Sequence, residues 1–198
     1  MTVLANKFGG QDWFSDAASY LSSRFPSVEA RLQTAFRYVE LHGENRKTFS
    51  YEFASILRDS SSVFGSVAEA FLQGTMGAPK GEYTFANYRD FLRREVPDIH
   101  KRTVHLRPCF PNGVIVPFEE LQMATDSPKW WIAYNKVKHS EYDKFRMGNL
   151  ENCVKAVSAL GLLGHLMGVF ISDRLFVNVG IAYAENSIGT SGERRLFP

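Results

Sequence analysis

The sequence predicts a mainly α-helical single domain with a small β-hairpin inserted into it. Apolar residues recur every three or four positions over most of the chain, which is the period of an amphipathic helix. One short segment alternates apolar and polar residues beside an Asn-Gly pair, which is typical of a hairpin. With 198 residues, of which 44% are hydrophobic, the chain can bury one core of ordinary size. We therefore expect a helical bundle that forms one domain over residues 1–198.

Two helices at the start of the chain are expected to form an antiparallel pair. The apolar residues from Trp13 to Phe25 fall on one helical face, and Pro26 is expected to end this first helix. Ser27 can cap a second helix, whose apolar stripe continues to a stop near Gly43. The polar residues of both helices are expected on a solvated face.

A third and longer helix is predicted to span the bundle. Thr48 or Ser50 can cap it, and its apolar stripe continues to about Gln73. Small residues between positions 60 and 65 can let another helix approach closely. The glycine-rich stretch 74–82 that follows predicts a loop.

Residues 103–116 predict the inserted β-hairpin. Residues 103–107 alternate between apolar and polar, and Asn112-Gly113 is a strong signal for a two-residue turn. Residues 114–116 then supply the returning strand.

The most basic part of the chain lies between Arg89 and Arg107, and it begins inside a helix predicted from Thr84 to Val96. Cationic side chains neutralise phosphates. The candidates for nucleic-acid contact here are Arg93, Arg94, Arg102, His105 and Arg107. His105 and Arg107 alternate with the apolar residues of the hairpin, so we expect the hairpin to have a basic outer face. The competing interpretation is a charged, solvated sheet edge that does not pair with other chains.

The stretch from Pro128 to His139 combines an apolar face with aromatic and basic side chains. Ser127 and Pro128 predict a helix start at this point. The apolar face of this helix is formed by Trp130, Ala133, Tyr134 and Val137. Trp131 offers a ring on which a base can stack, and Lys136 adds a positive charge, so both are further candidates for nucleic-acid contact.

Asn135, Lys138 and His139 are the candidate catalytic residues of this helix. Asn135 and His139 are four residues apart, so their side chains are neighbours on the helix surface. Histidine can exchange a proton near neutral pH, lysine can offset phosphate charge, and asparagine can orient the imidazole. The competing interpretation is that Asn135 and His139 cap and cross-link helices.

The last part of the chain predicts a core helix followed by a strand. Residues 150–171 are hydrophobic nearly all round, but Lys155 and His165 interrupt them, so a central core helix is favoured over a membrane span. Three glycines in this segment are expected at close helix contacts. Residues 175–182 predict a strand that can join the hairpin at either edge, and the tail 184–198 is expected to be loosely held.

Net charge, cysteine spacing and the first residues of the chain limit the classes of protein to be considered. A net charge of +2 does not by itself impose nucleic-acid binding. Neither Cys109 nor Cys153 has a Cys or His at metal-ligand spacing, so we expect free thiols, no metal site and no cofactor. The first residues lack the basic and apolar regions of a signal peptide, and a cytoplasmic, reducing location is expected.

Two stretches together resemble the HEPN superfamily of helical-bundle proteins. The first is residues 50–57 with their continuation to Phe71. The second comprises Pro117-Phe118, Trp130-Trp131, Tyr134-Asn135, Lys138-His139 and the segment 149–163. The resemblance implies a bundle that forms homodimers, with a composite site between two copies of the histidine-bearing helix. It also implies a metal-independent RNase in bacterial toxin–antitoxin or anti-phage defence, with RNA and an antitoxin or other regulatory protein as partners.

The chain departs from the usual motif of the superfamily, which is an arginine, four to six further residues, and then a histidine. The positions at that spacing before His139 hold Tyr134, Ala133 and Ile132. Asn135 can match the polar residue that follows the arginine in active members. Two functions therefore remain open, an RNase centred on His139 and a catalytically silent module that binds a partner protein or a nucleotide.

Overall fold

The structure, a computed structural model, describes residues 3–77, 83–106, 114–123, 127–139, 141–169 and 176–181. Its α-helices are α1 (Val3–Phe8), α2 (Asp12–Ala35), α3 (Tyr51–Met76), α4 (Phe85–Glu95), α5 (Lys129–His139), α6 (Glu141–Lys144) and α7 (Leu150–Leu166). Its strands are β1 (Arg102–Leu106), β2 (Val114–Ile115) and β3 (Phe176–Ile181). The predicted fold class, mainly α with a small hairpin, is confirmed.

Helix α2 is one continuous helix, so the predicted helical hairpin at Pro26 is wrong. Pro26 lies inside α2 on its exposed side, and the buried stripe continues through Phe25 and Val28 without a change of phase. An interior proline costs about 3 kcal/mol. Burying each large apolar side chain contributes about 1.5–3 kcal/mol, so the continuing stripe offsets this cost. The chain then forms a 3₁₀ helix at Gly43–Lys47 where the end of a second helix was predicted.

Helix α3 matches its prediction and forms the long axis of the bundle. The Ser50 side chain caps it by accepting a hydrogen bond from the Phe53 N–H. The helix ends at Gly77, whose φ of 65° is a left-handed conformation that glycine adopts without strain. Ser60 and Ser61 are fully buried, and α2, α5 and α7 all contact α3. A close approach of another helix is seen at Gly65, where an added Cβ would lie 3.3 Å from Trp131 Cη2 of α5, whereas Ser62 is exposed.

Helix α4 begins where the sequence predicts. The backbone N–H and the hydroxyl of Thr84 both donate to Asn87 Oδ1, which closes the first turn. Phe85, Tyr88 and Phe91 face the core. Of the predicted loop before it, residues 78–82 lie outside the described residues.

Helix α7 is the central core helix that the sequence predicts. Sixteen of its residues are buried, and α2, α3 and α5 contact it. The helix ends in a hydrogen-bond pattern in which the N–H groups of Gly168 and Val169 donate to the carbonyls of His165 and Gly164. Gly168, with φ of 69°, therefore terminates the helix. The expectation that this glycine lies at a close helix contact in the helix interior is wrong. Among the helices that the structure describes, none is long and apolar enough to cross a membrane.

The strands form one antiparallel sheet in the order β2-β1-β3. Val104 pairs with Ile115 in the hairpin and with Val179 on the other side. The predicted C-terminal strand thus joins the β1 edge of the hairpin. His105 pairs with Val114, so residues 106–113 lie between these partners, and the predicted two-residue connection at Asn112-Gly113 is wrong. Residues 112–113 and the tail 184–198 lie outside the described residues.

Candidate functional site

Helix α5 is fixed to the core by Trp130. This side chain is fully buried, and its Nε1–H donates a 2.8 Å hydrogen bond to the Pro117 carbonyl. Its ring lies 5.3 Å from the Phe64 ring of α3 and 6.0 Å from the Phe118 ring, measured between centroids. Because these contacts lie on two different segments, they fix both the position and the rotation of α5.

Trp131 also serves mainly in packing. The ring is half-buried, and a Cβ at Gly65 of α3 would lie only 3.3 Å from its Cη2. Rings within 6.0 Å of its centroid are those of Phe64, Phe85, Tyr88, Trp130 and Tyr134. Much of the surface that the sequence offered for base stacking is therefore used inside the protein.

The three candidate catalytic residues lie in the last two turns of α5. Lys138 and His139 are exposed, and Asn135 is half-buried one turn before His139. Lys138 Nζ lies 5.6 Å from the centroid of the Tyr134 ring, a cation–π contact. Within the described residues no hydrogen bond or ion pair joins the three side chains. They form a solvent-facing group with an imidazole and an ammonium in adjacent positions.

The same end of α5 also has a structural explanation for its cations. Lys136, Lys138 and His139 all lie in its last turn. Positive charges there interact favourably with the helix dipole, each by about 0.3–1 kcal/mol when exposed. The presence of these cations is thus not by itself an indication of catalysis.

The residue at the expected arginine position faces away from His139. Tyr134 is 8% exposed and packs on Trp131, with 5.1 Å between ring centroids. Residues five apart on an α-helix are separated by about 140° around its axis. Ile132, in contrast, is 40% exposed and precedes His139 by seven positions, which brings it to within about 20° of the same face. Of the three positions at motif spacing, only that of Ile132 shares the exposed face of His139.

The predicted basic patch is partly neutralised by ion pairs. Arg102, a predicted nucleic-acid contact, is buried and binds Asp98, with 3.0 Å between Nη2 and Oδ2, so its charge is already paired inside the protein. Burial of Arg102 is possible because Asp98, four residues earlier, supplies the opposite charge. Arg94 binds the buried Glu95, which Lys7 also contacts. Arg93 and His105 are half-buried, Lys136 is exposed, and Arg107 lies outside the described residues.

A buried ion network around Lys155 is the feature that the sequence did not reveal. Lys155 lies in the middle of α7, is 1% exposed, and its Nζ is 2.6 Å from Glu119 Oε1 and 3.7 Å from Glu151 Oε1. Lys47 binds the other oxygen of Glu151 at 2.9 Å. The sequence carried one local signal, Glu151 four residues before Lys155, which is the spacing of an ion pair on a helix. Nothing local identifies Glu119 or Lys47 as further partners.

This network alters the ionisation of the carboxylates around it. Burial alone would raise the pKa of Glu151, but the hydrogen bond from Lys47 and the charge of Lys155 outweigh it, and the pKa lies below its usual value. Burial raises the pKa of Glu120, whose Oε2 has no hydrogen-bond partner among the described residues. Glu119 and Glu120 belong to the segment that follows Pro117, the acceptor for Trp130. The network therefore helps to hold the segment on which α5 is anchored.

Across the described ranges, no group of three or more His, Cys, Asp or Glu side chains is arranged to hold a metal ion. Cys153 is a buried free thiol, as predicted, and burial raises its pKa.

Comparisons of the chain with protein-family models, with curated proteins and with solved structures gave no match.

Proposed function

We propose that this protein is a metal-independent endoribonuclease whose site includes the exposed end of α5. The observation that carries the proposal is the contrast between the two sides of this helix. Trp130 is locked in the core, whereas His139 and Lys138 reach solvent. An anchored helix fixes the backbone positions of its exposed residues, which is one requirement of a defined catalytic geometry.

The proposed reaction is attack by a ribose 2′-oxygen on the adjacent phosphorus. His139 takes the proton of the 2′-hydroxyl, a new oxygen–phosphorus bond forms, and the bond to the 5′-oxygen of the next nucleotide breaks. That oxygen receives a proton from a protonated imidazole, for which His139 of a second copy in a homodimer is the candidate. Lys138 and Asn135 stabilise the negative charge that develops on the phosphoryl oxygens. The products are a 2′,3′-cyclic phosphate and a free 5′-hydroxyl.

A role in bacterial toxin–antitoxin or anti-phage defence, with an antitoxin or other regulatory protein as a partner, belongs to the same proposal. It is supported by the resemblance of the α3 and α5 segments to the HEPN superfamily. The second candidate function, a silent module that binds a partner protein or nucleotide, is favoured by the buried Tyr134 at an expected arginine position.

The first test is the chemistry of the RNA ends. We expect the purified protein to cleave total RNA in the presence of EDTA and to leave 2′,3′-cyclic phosphate and 5′-hydroxyl ends. No cleavage, or cleavage that EDTA abolishes, would contradict the RNase proposal and favour the silent module.

A gain-of-function variant sharpens the choice between the two candidates. Ile132→Arg places a guanidinium on the face of His139 without disturbing the buried side of α5. A charge-assisted hydrogen bond contributes roughly 1.5–3 kcal/mol. We therefore expect cleavage to become about tenfold faster or more, with Ile132→Lys giving a smaller gain because lysine cannot make a bidentate contact. An unchanged cleavage rate in both variants would contradict the proposal that the reacting phosphate binds on the face of α5 that carries Ile132 and His139.

A further inference from the structure

Three aromatic rings and an arginine form an exposed cluster beside the end of α5. The Phe145 ring lies 4.2 Å from the Tyr51 ring and 5.5 Å from the Phe49 ring, and the Arg146 guanidinium lies 5.6 Å from the centroid of Phe49. Tyr51 is 74% exposed and Phe49 is 41% exposed. We call these four side chains the aromatic platform.

The backbone under the aromatic platform is tightly held. Phe49 pairs with Asn149 in an isolated β-bridge. The Leu150 N–H donates to the Thr48 carbonyl at 2.9 Å, so the starts of α3 and α7 are joined. A Cβ at Gly148 would lie 2.5 Å from the Cβ of Ala54, which shows how closely this segment approaches α3. The exposure of the rings is therefore a property of a fixed surface.

The aromatic platform includes a segment that contacts α5, the helix of the candidate catalytic residues, and cations lie near it in the sequence. The 3₁₀ helix Phe145–Met147 contacts both α5 and α6. The exposed charged side chains described along this path are those of Lys138, Lys144, Arg146 and Asp143. Within the described residues Arg146 makes no ion pair, so its charge is available to a ligand.

We propose that the aromatic platform binds the unpaired bases of single-stranded RNA and guides the strand to His139. This inference rests on the proposed function, and it names the substrate as single-stranded. Exposed rings beside cations match a ligand that carries both planar bases and phosphates. Bases in a duplex are stacked on one another and offer no free face to Tyr51, so a duplex is a poor ligand for this surface.

The test measures binding separately from cleavage. The probe is a fluorescein-labelled single-stranded RNA of mixed sequence, about 12 nucleotides long, enough to span one binding groove. Its 2′-oxygens are methylated, so it lacks the attacking hydroxyl and cannot be cleaved. Fluorescence anisotropy measures its affinity for the protein. Stacking contributes about 5- to 150-fold in affinity per base. We expect Tyr51→Ala to weaken binding by a factor in this range, Tyr51→Phe to stay within about twofold of wild type, and the annealed duplex to bind at least about tenfold more weakly than the single strand.

Two further variants separate stacking from general effects. Tyr20→Ala is the control, because it removes an exposed tyrosine of α2 that is not part of the aromatic platform. Arg31 of α2 binds Glu52, the residue next to Tyr51, and Tyr20 lies about three helical turns before Arg31. The Tyr20→Ala variant should bind the probe as wild type does. Arg146→Gln should reduce the slope of log affinity against log salt by about 0.7, the value for one phosphate contact on a single strand.

The outcomes distinguish failure of the aromatic platform from failure of the proposed function. Equal binding by wild type and Tyr51→Ala, with RNA cleavage intact, overturns the aromatic platform alone. Absence of both binding and cleavage in wild type overturns both proposals. If Tyr51→Ala converts a dimer into a monomer in light scattering, the rings are an interface between copies and the RNA assignment is overturned.

Discussion

Lys155 and Lys138 lie on two helices in contact and illustrate opposite uses of the same side chain. Lys155 is enclosed between Glu119 and Glu151 in the centre of α7, where solvent does not reach it. Lys138 is exposed at the end of α5 and contacts the ring of Tyr134. The difference is that a buried charge in this protein is compensated by carboxylates, so that removing one partner leaves the others unpaired. A charge becomes available for a ligand where it is exposed on a helix with an anchored opposite face.

The largest effect is expected from breaking the buried network. Lys155→Ala leaves Glu119 and Glu151 without their shared cation, and loss of one partner of a buried ion pair costs about 3–5 kcal/mol. Urea unfolding followed by circular dichroism should show this loss in the free energy of unfolding. A loss below about 1 kcal/mol would contradict the assigned role of the network.

A matched variant separates charge from packing at the same position. Lys155→Met combined with Glu119→Gln and Glu151→Gln keeps the approximate volumes and removes the charges. Because replacing a buried ion pair by neutral groups is often tolerated, we expect this triple variant to be more stable than Lys155→Ala. A stability no higher than that of Lys155→Ala would mean that unpaired carboxylates do not cause the loss.

The second effect concerns Trp131, which lies between the core and the exposed face. Trp131→Ala removes contacts with five aromatic rings and should cost about 3 kcal/mol. Trp131→Phe should restore most of this loss. A change below 1 kcal/mol with a large loss of RNA affinity would instead support the stacking role predicted from the sequence.

A smaller effect is expected from acid. Glu151 and Glu95 have lowered pKa values because their cation partners outweigh the opposing effect of burial. A carboxylate with a lowered pKa stabilises the fold above its unfolded pKa, and this contribution disappears as the pH falls through the folded pKa. The free energy of unfolding should therefore fall below about pH 4.5. Glu151→Gln should lose about 1–3 kcal/mol at pH 7 and show a shallower fall, whereas a parallel pH profile would contradict the assignment.

The smallest effects are expected on the exposed side of α5. Lys138→Ala and His139→Ala should lower the free energy of unfolding by no more than about 1 kcal/mol, because both side chains face solvent and an exposed cation at a helix end contributes only about 0.3–1 kcal/mol. Thermal unfolding measured for each variant checks this. A loss above about 1.5 kcal/mol for either variant would show a structural role that the contacts do not indicate.

The fold could be predicted to the extent that local patterns determine it. The long helix from Ser50, the capped helix from Thr84 and the core helix before Gly168 follow from apolar period and capping residues. Pro26 misled the prediction because a local rule for helix ends was applied where tertiary burial of the Phe25–Val28 stripe decides the outcome.

The site was less predictable because its features depend on contacts far apart in the sequence. Asn135, Lys138 and His139 were found because they share one helix. The partner of Lys155 is 36 residues away in Glu119, and the aromatic platform joins Phe49 and Tyr51 to Phe145, almost a hundred residues later. The pattern of apolar residues within one segment cannot predict contacts between residues so far apart in the sequence.

The central claim is that the exposed end of α5 is a working site, and one rate comparison tests it most directly. Cleavage of a labelled single-stranded RNA in EDTA is measured for wild type, His139→Ala and the control His100→Ala, with folding of each verified by circular dichroism. Because a general base contributes about 10²–10⁴-fold, we expect His139→Ala to be at least about 100-fold slower and His100→Ala to match wild type. Equal rates for wild type and a folded His139→Ala protein would contradict the claim.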